Sequence, residues 1–366
     1  MNLLFLCRER DLGFGQASLA RALERQGAQV KCVKDSVTAN EDIGTLLADC
    51  DARPDLILQP ELNFPLLPAN ITEIDIPTAC LQIDTYAYTD RRISWSMLFD
   101  FPVVYHPGYE EKFCRAGHSG VVTFYHAASR ELFDKPPLDR VFDIGSVGRT
   151  HAAVQSARQR VMKMLAEKYR LNEWEKLHTF EEMAEVYRRS KIVVNVPRDD
   201  FPQDANMRAF EAMAAGCLLI SRTPSELTSI GFEEGVHFAG YSATKEIPGL
   251  VARYLEDERE RERIAQTGRA KVLAEHTYDN RARQLLDLID KQKGKFFAPA
   301  RTWPKERIAL TYVDYYCAHA ELGLAAADLW RARADLGGAA IGAGLVARAI
   351  ASRARGRLNA ALQWSK

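Results

Sequence analysis

Short, continuous apolar runs recur along the chain, each closed by a polar or turn residue: Asn2–Cys7, Gln29–Val33, Asp55–Gln59, Thr78–Gln82 and Pro102–Tyr105. Runs of this kind suit strands buried on both faces, as in a parallel sheet covered by helices. The first run leads through Asp11-Leu-Gly-Phe-Gly15 into Ser18–Gln26, where Leu19, Ala22 and Leu23 share helical spacing before Gly27. Strand, tight loop, helix and next strand in that order open a doubly wound α/β sheet.

The rhythm breaks at Asp134-Lys-Pro-Pro-Leu-Asp139, where prolines and charges predict a linker. It resumes through Val141–Val147, Ile192–Val196 and Cys217–Ser221, alternating with helices rich in Arg, Glu and Ala. At 366 residues the chain exceeds one ordinary core of about 100–200 residues. The expected organisation is therefore a Rossmann-like domain over 1–133, a second over 140–292, and a helical extension over 296–366.

Lys+Arg and Asp+Glu balance at 49 each, so no basic surface calls for a nucleic-acid partner. The seven cysteines are scattered and mostly apolar in context, with no CxxC pair and no zinc spacing. They read as buried hydrophobes of a reducing compartment, and no metal is expected. The apolar run before Arg8 is too short for a signal-peptide core or a spanning helix, which predicts a cytoplasmic protein.

The segment Asn206-Met-Arg-Ala-Phe-Glu211-Ala-Met-Ala-Ala-Gly216-Cys-Leu-Leu-Ile-Ser221 carries the most chemistry. Asn206 can cap a helix, Arg208 and Glu211 share one face at i,i+3, and Gly216 ends the helix before a buried strand. Helix amides and Arg208 suit phosphate oxygens, and Glu211 suits ribose hydroxyls, which together would hold a nucleoside diphosphate. The same spacing also fits a surface ion pair on a structural helix.

This segment, the strand and loop Asp143-Ile-Gly-Ser-Val-Gly-Arg149, the strand Tyr187-x-x-Ser190-Lys-Ile-Val-Val-Asn195 and the late His276-Thr-Tyr-x-x-Arg281 together resemble the spore-maturation CgeB-like branch of the group 1 glycosyltransferases. The order and spacing match over roughly residues 80–290. The resemblance implies a GT-B fold, two Rossmann-like domains facing across a cleft, with donor nucleotide sugar held by the C-terminal domain and acceptor by the N-terminal one. It implies that Glu211 contacts the donor ribose and that Gly148 and Arg149 form the phosphate loop. It also implies base-recognition groups around His178, before the Glu181–Arg189 helix. Wider relatives carry a second glutamate eight residues before Glu211, where this chain has Gln203 followed by Asp204.

In physical terms, glycine after a strand lets backbone approach a ligand, and Arg149 would neutralise a pyrophosphate leaving group; the alternative is an ordinary loop cation. The Gly13 and Gly15 loop borders the cleft in the same reading, although a full GxGxxG is absent because Ser18 occupies the last position. An inverting enzyme needs a base near the acceptor hydroxyl. Asp84, at the end of the Thr78–Ile83 strand, is the first candidate, with Asp11 and His106 as alternatives; each also reads as a loop cap.

No Asp-x-Asp ends a strand, which favours a metal-independent transferase over the metal-dependent fold. The expected partners are a nucleotide sugar and a carbohydrate or glycoconjugate acceptor, as in surface polysaccharide synthesis. Two other readings stay open, a nucleotide-sugar epimerase and a non-catalytic nucleotide-sugar-binding protein. Residues 335–366 carry Arg348, Arg353, Arg355 and Arg357 among apolar residues, with no acid after Asp335. They fit peripheral contact with the inner membrane face, or a helical hairpin packed on the catalytic domains or another subunit.

Overall fold

The computed structural model describes residues 1–61, 66–136, 138–148 and 156–318. In it the apolar runs form two sheets in which every strand pairing is parallel. The expected α/β class with two Rossmann-like sheets is therefore present. Among the described residues, no helix is long and apolar enough to cross a membrane.

The first sheet contains β1 (Asn2–Arg8), β2 (Gln29–Val33), β3 (Leu56–Gln59), β4 (Thr78–Gln82), β5 (Phe101–Val104) and β6 (Val122–Thr123), in the order β2-β1-β3-β4-β5-β6. Its connections hold α1 (Phe14–Arg25), α2 (Ile43–Ala48), α3 (Thr89–Ser96) and α4 (Glu110–Arg115). Strand order reverses at β1, so the loops after β1 and β3 part there, the usual place for a ligand in such sheets. The first helix starts earlier than its spacing predicts: Gly13 occupies the N-cap position and Gly15 lies in the first turn. The apolar residues Leu19, Ala22 and Leu23 are buried as expected.

The second sheet holds β7 (Phe142–Gly145), β8 (Ser190–Asn195), β9 (Leu218–Arg222) and β10 (Ala239–Tyr241), in the order β10-β9-β8-β7. The helices around it are α5 (Arg130–Phe133), α6 (Ser156–Ala166), α7 (Phe180–Arg188), α8 (Met207–Ala214), α9 (Glu226–Ser229), α10 (Ile247–Glu256), α11 (Glu258–Glu275) and α12 (Tyr278–Lys291). Thr179 starts α7 with a capping box, its hydroxyl accepting from Glu182 N–H and the Glu182 carboxylate accepting from Thr179 N–H. Gly216, at φ +76°, turns the chain out of α8 into β9. Arg140 then donates to the carbonyls of Tyr187, Ser190, Ala215 and Gly216, satisfying backbone acceptors where α7 and α8 end.

The compact units divide the chain at Tyr125–Gln284 for the second and at Met1–Phe124 plus Leu285 onward for the first. These boundaries differ from those expected at 133, 140 and 292. Arg281 accounts for the early start: it is buried and donates to the carbonyls of Tyr125 and His126, while Ala128 and Thr277 pair by a backbone bridge. The expected linker at Asp134–Asp139 thus follows residues already committed to the second unit.

The first part of the expected extension belongs to the core of the first unit. Ala300 and, from α13 (Lys305–Ala318), Tyr312, Val313, Tyr315 and Tyr316 pack with Leu4, Leu6, Leu46 and Ile57. The Tyr312 hydroxyl donates to Pro68 O at 2.6 Å and that of Tyr316 to Leu67 O at 2.6 Å, so these rings are buried with their polar ends satisfied. The Arg-rich stretch 335–366 lies outside the described residues.

Candidate functional site

The carboxyl ends of β7 and β8 and the start of α8 converge within the second unit. Asn172 fixes the end of β7 by accepting from Ser146 N–H at 2.8 Å and donating to Ser146 O at 2.9 Å. Asn195, the last residue of β8, donates to Ser221 Oγ at 3.1 Å and accepts from Arg208 Nη1 at 2.9 Å. Arg208 Nε also donates to Val147 O at 3.3 Å. Its guanidinium is thereby seated on the turn after β7, where Gly148 has φ +106° and a Cβ would come within 2.9 Å of Arg208 Nη2.

Glu211 lies one turn further along α8 and is only 4% exposed. Among the described residues no donor reaches its carboxylate and no ion pair joins it to Arg208, which sets aside the surface-pair reading. Burial pushes the carboxyl up to about 7, against the partial opposition of the Arg208 charge. Asn206 takes the N-cap backbone conformation, φ −63° and ψ 167°, but makes no side-chain cap. Its Oδ1 is buried with no hydrogen bond from the described residues. Ala205 N–H goes instead to Glu226 Oε2 at 3.1 Å, so Glu226 holds the approach to the helix.

A second cation, absent from the sequence reading, stands beside Arg208. Arg158 on α6 is 5% exposed and donates from Nε to Val196 O at 2.9 Å. Burial and the neighbouring Arg208 charge push its guanidinium down to about 9. Nothing in the spacing of α6 distinguishes Arg158 from Arg160, the other arginine of that helix. Asn195 was more accessible to reading, as a polar residue closing an apolar strand.

The other expected residues fall elsewhere. His178 precedes the N-cap of α7, half-buried, with Nδ1 buried and without a hydrogen bond among the described residues. No described contact joins it to Arg208 or Glu211. Arg149 lies outside the described residues. Gly13, Gly15 and Asp84 belong to the first unit. Asp84 is exposed after β4, its N–H donating to Glu61 Oε2 at 3.2 Å and its Oδ1 accepting from the Tyr86 hydroxyl at 3.3 Å. Asp11 pairs with Arg8 at 2.5 Å, and His106 is buried against the rings of Tyr86 and Tyr109.

Glu61 was not anticipated. It accepts Ile83 N–H at 2.5 Å and Arg92 Nη2 at 2.6 Å, and so fixes the loop that carries Asp84. The His276 to Arg281 motif is structural: Arg281 Nη2 bonds His276 Nδ1 at 2.9 Å, and burial followed by the Arg281 charge holds that imidazole neutral, its pKa pushed down to about 3.

Residues 139–287 match the family model for glycosyl transferase-like domains. No curated protein matches the chain significantly in sequence. Among solved structures, sucrose-phosphate synthase from Thermosynechococcus elongatus is similar with TM-score 0.58 at 13% identity, over 80% of this chain and 98% of that one. Anabaena HepE in complex with UDP is similar with TM-score 0.56 at 13% identity, over 80% and 100%. A glycosyltransferase from Rickettsia africae is similar with TM-score 0.56 at 10% identity, over 79% and 98%. The chain thus has the GT-B fold, and its residues 139–287 form a glycosyl transferase-like domain.

Proposed function

We propose that the protein is a glycosyltransferase of the CgeB-like kind. It would bind a nucleoside-diphosphate sugar on the second unit and pass the sugar to an acceptor hydroxyl in polysaccharide or glycoconjugate synthesis. The observation that carries this reading is the buried carboxylate of Glu211, which receives no donor among the described residues, one turn from a guanidinium seated on the Gly148 turn. A ribose offers paired hydroxyl donors to the first group, and a diphosphate offers oxygens to the second. Anabaena HepE, similar in fold, was solved with UDP and with UDP-glucose.

In the transfer, the bond between the anomeric carbon and the β-phosphate oxygen breaks as the acceptor oxygen bonds that carbon. The acceptor proton passes to a base, for which Asp84 is the proposed residue if configuration inverts. The leaving diphosphate gains charge, which Arg208, Arg158, Arg149 and the amides at the start of α8 would stabilise. The held guanidinium groups of Arg208 and Arg158 support a metal-independent reaction.

Calorimetric titration with UDP, GDP, ADP and dTDP, with and without magnesium, tests the reading on wild type and on Glu211→Ala. One nucleotide should bind selectively and without magnesium, and Glu211→Ala should abolish it. Absence of binding for all four at millimolar concentration overturns the reading.

Gly148→Ala supplies a second check. The positive φ should cost about 1–2 kcal/mol of stability in denaturant melts. The methyl group also meets the end of the Arg208 side chain, which must move and should weaken the nucleotide. Gly235→Ala, at φ +75° with nothing within 4 Å of a Cβ, should lose similar stability and leave binding unchanged.

A further inference from the structure

Cys7 and Cys32 are far apart in sequence but face each other on adjacent parallel strands, with Sγ to Sγ 4.0 Å. Cys7 closes the apolar run of β1 and is fully buried, whereas Cys32 on β2 is half-buried. Two local features give the pair room to approach. Among the described residues β2 is the edge strand of the first sheet, with no ladder on its other side. The β1–β2 register also slips between Phe5 and Arg8, the stretch that contains Cys7. A bulged edge moves more readily than a central strand, and closing to a disulfide requires the sulfurs to approach to about 2 Å.

We infer that Cys7 and Cys32 form a redox modification site, in which Cys32, the less buried of the two, is oxidised first and Cys7 resolves it to an intramolecular disulfide. With hydrogen peroxide as oxidant, the Cys32 sulfur attacks one peroxide oxygen, the O–O bond breaks, and water leaves behind a sulfenic acid. The Cys7 sulfur then attacks the Cys32 sulfur, and the S–S bond forms as the hydroxyl departs with the thiol proton as a second water. Two thiols and one peroxide give one disulfide and two waters. The hydrogen bond between the thiols favours the Cys32 thiolate, the reactive form. The pair lies at the carboxyl end of β1, and its closure would pull on the turn that runs through the Arg8–Asp11 ion pair to Gly13.

The test treats the folded full chain with hydrogen peroxide, blocks free thiols, and maps peptides by mass spectrometry without reductant. A peptide linked through Cys7 and Cys32 should accumulate, vanish after dithiothreitol, and be absent from Cys32→Ser. In Cys7→Ser, Cys32 should instead be trapped as a sulfenic acid by dimedone. The inference is overturned if both thiols remain open to alkylation in the treated wild type. It is equally overturned if the linked peptide forms only after denaturation, or if Cys32 stops at the sulfenic acid with Cys7 intact. The readout is independent of any nucleotide, so it stands apart from the glycosyltransferase reading.

Discussion

Arg301→Ala should remove about 3–5 kcal/mol from the stability of the first unit, the largest loss expected from a single side chain in this protein. Asp100 is fully buried and accepts six hydrogen bonds: from Thr78 N–H and hydroxyl, from the amides of Phe297 and Ala298, and twice from Arg301. Arg301 in turn donates to the carbonyls of Thr72, Ile74 and Ile76. Burial alone would push the Asp100 carboxyl up, but Arg301 and the amides outweigh it and hold it below its usual range. Truncating Arg301 leaves that carboxylate buried with no counter-charge.

The loss corresponds to roughly 6–20 °C in Tm at about 2–4 °C per kcal/mol for a unit of this size. Urea unfolding monitored on the first unit should show a lower midpoint with an unchanged slope. Arg301→Lys, which keeps charge but not the two-pronged grip, should fall between. Because the folded pKa of Asp100 is depressed, its contribution is complete above about pH 4 and is lost as acid protonates it in the folded state. A loss below about 1 kcal/mol in Arg301→Ala would mean that the backbone amides alone hold the carboxylate.

This ion pair also marks the limit of what the sequence discloses. The strands were legible because burial on both faces writes itself as an unbroken apolar run, as in Leu3–Cys7 and Leu218–Ile220. Short strands such as β6 and β10 offer too few residues for such a pattern. Asp100 and Arg301 lie 201 positions apart, and neither has a local environment that suggests its partner. The same holds for Arg140, whose role depends on two helix ends meeting. The boundary signal at Asp134–Asp139 was local turn chemistry, whereas the real division follows Arg281 and the Ala128–Thr277 bridge, which are long-range. At the candidate site, Arg208, Glu211 and Gly148 could be found because one segment carries the helix start and another the glycine turn. The burial of Glu211 and the presence of Arg158 needed the fold.

Binding of the nucleotide should strengthen with rising pH up to about 7 and then level off, because Glu211 must give up a proton to receive ribose hydroxyls. In the free protein burial holds its carboxyl up at about 7, so below that pH the group is protonated. Only the ionised form offers acceptors to both hydroxyls, so each pH unit below 7 should weaken binding by up to about tenfold. Calorimetry in buffers of different ionisation enthalpy should record proton release at pH 6 and almost none at pH 8. Glu211→Gln should flatten the profile and lower affinity at pH 8 by roughly tenfold to a hundredfold, the loss of a charge-assisted bond.

The free protein should respond to pH in the opposite sense. Between the unfolded value near 4.5 and the folded value near 7, the unfolded chain has lost the proton that the folded chain keeps. Stability therefore falls as pH rises through that window, by about 3 kcal/mol at most. Glu211→Gln should abolish this fall and melt higher than wild type at pH 8 without nucleotide. Opposite slopes for stability and affinity, both removed by one substitution, would identify Glu211 as a group kept in an unfavourable environment for the ligand. Parallel slopes, or an affinity independent of pH from 5 to 8, would place the ribose contact elsewhere.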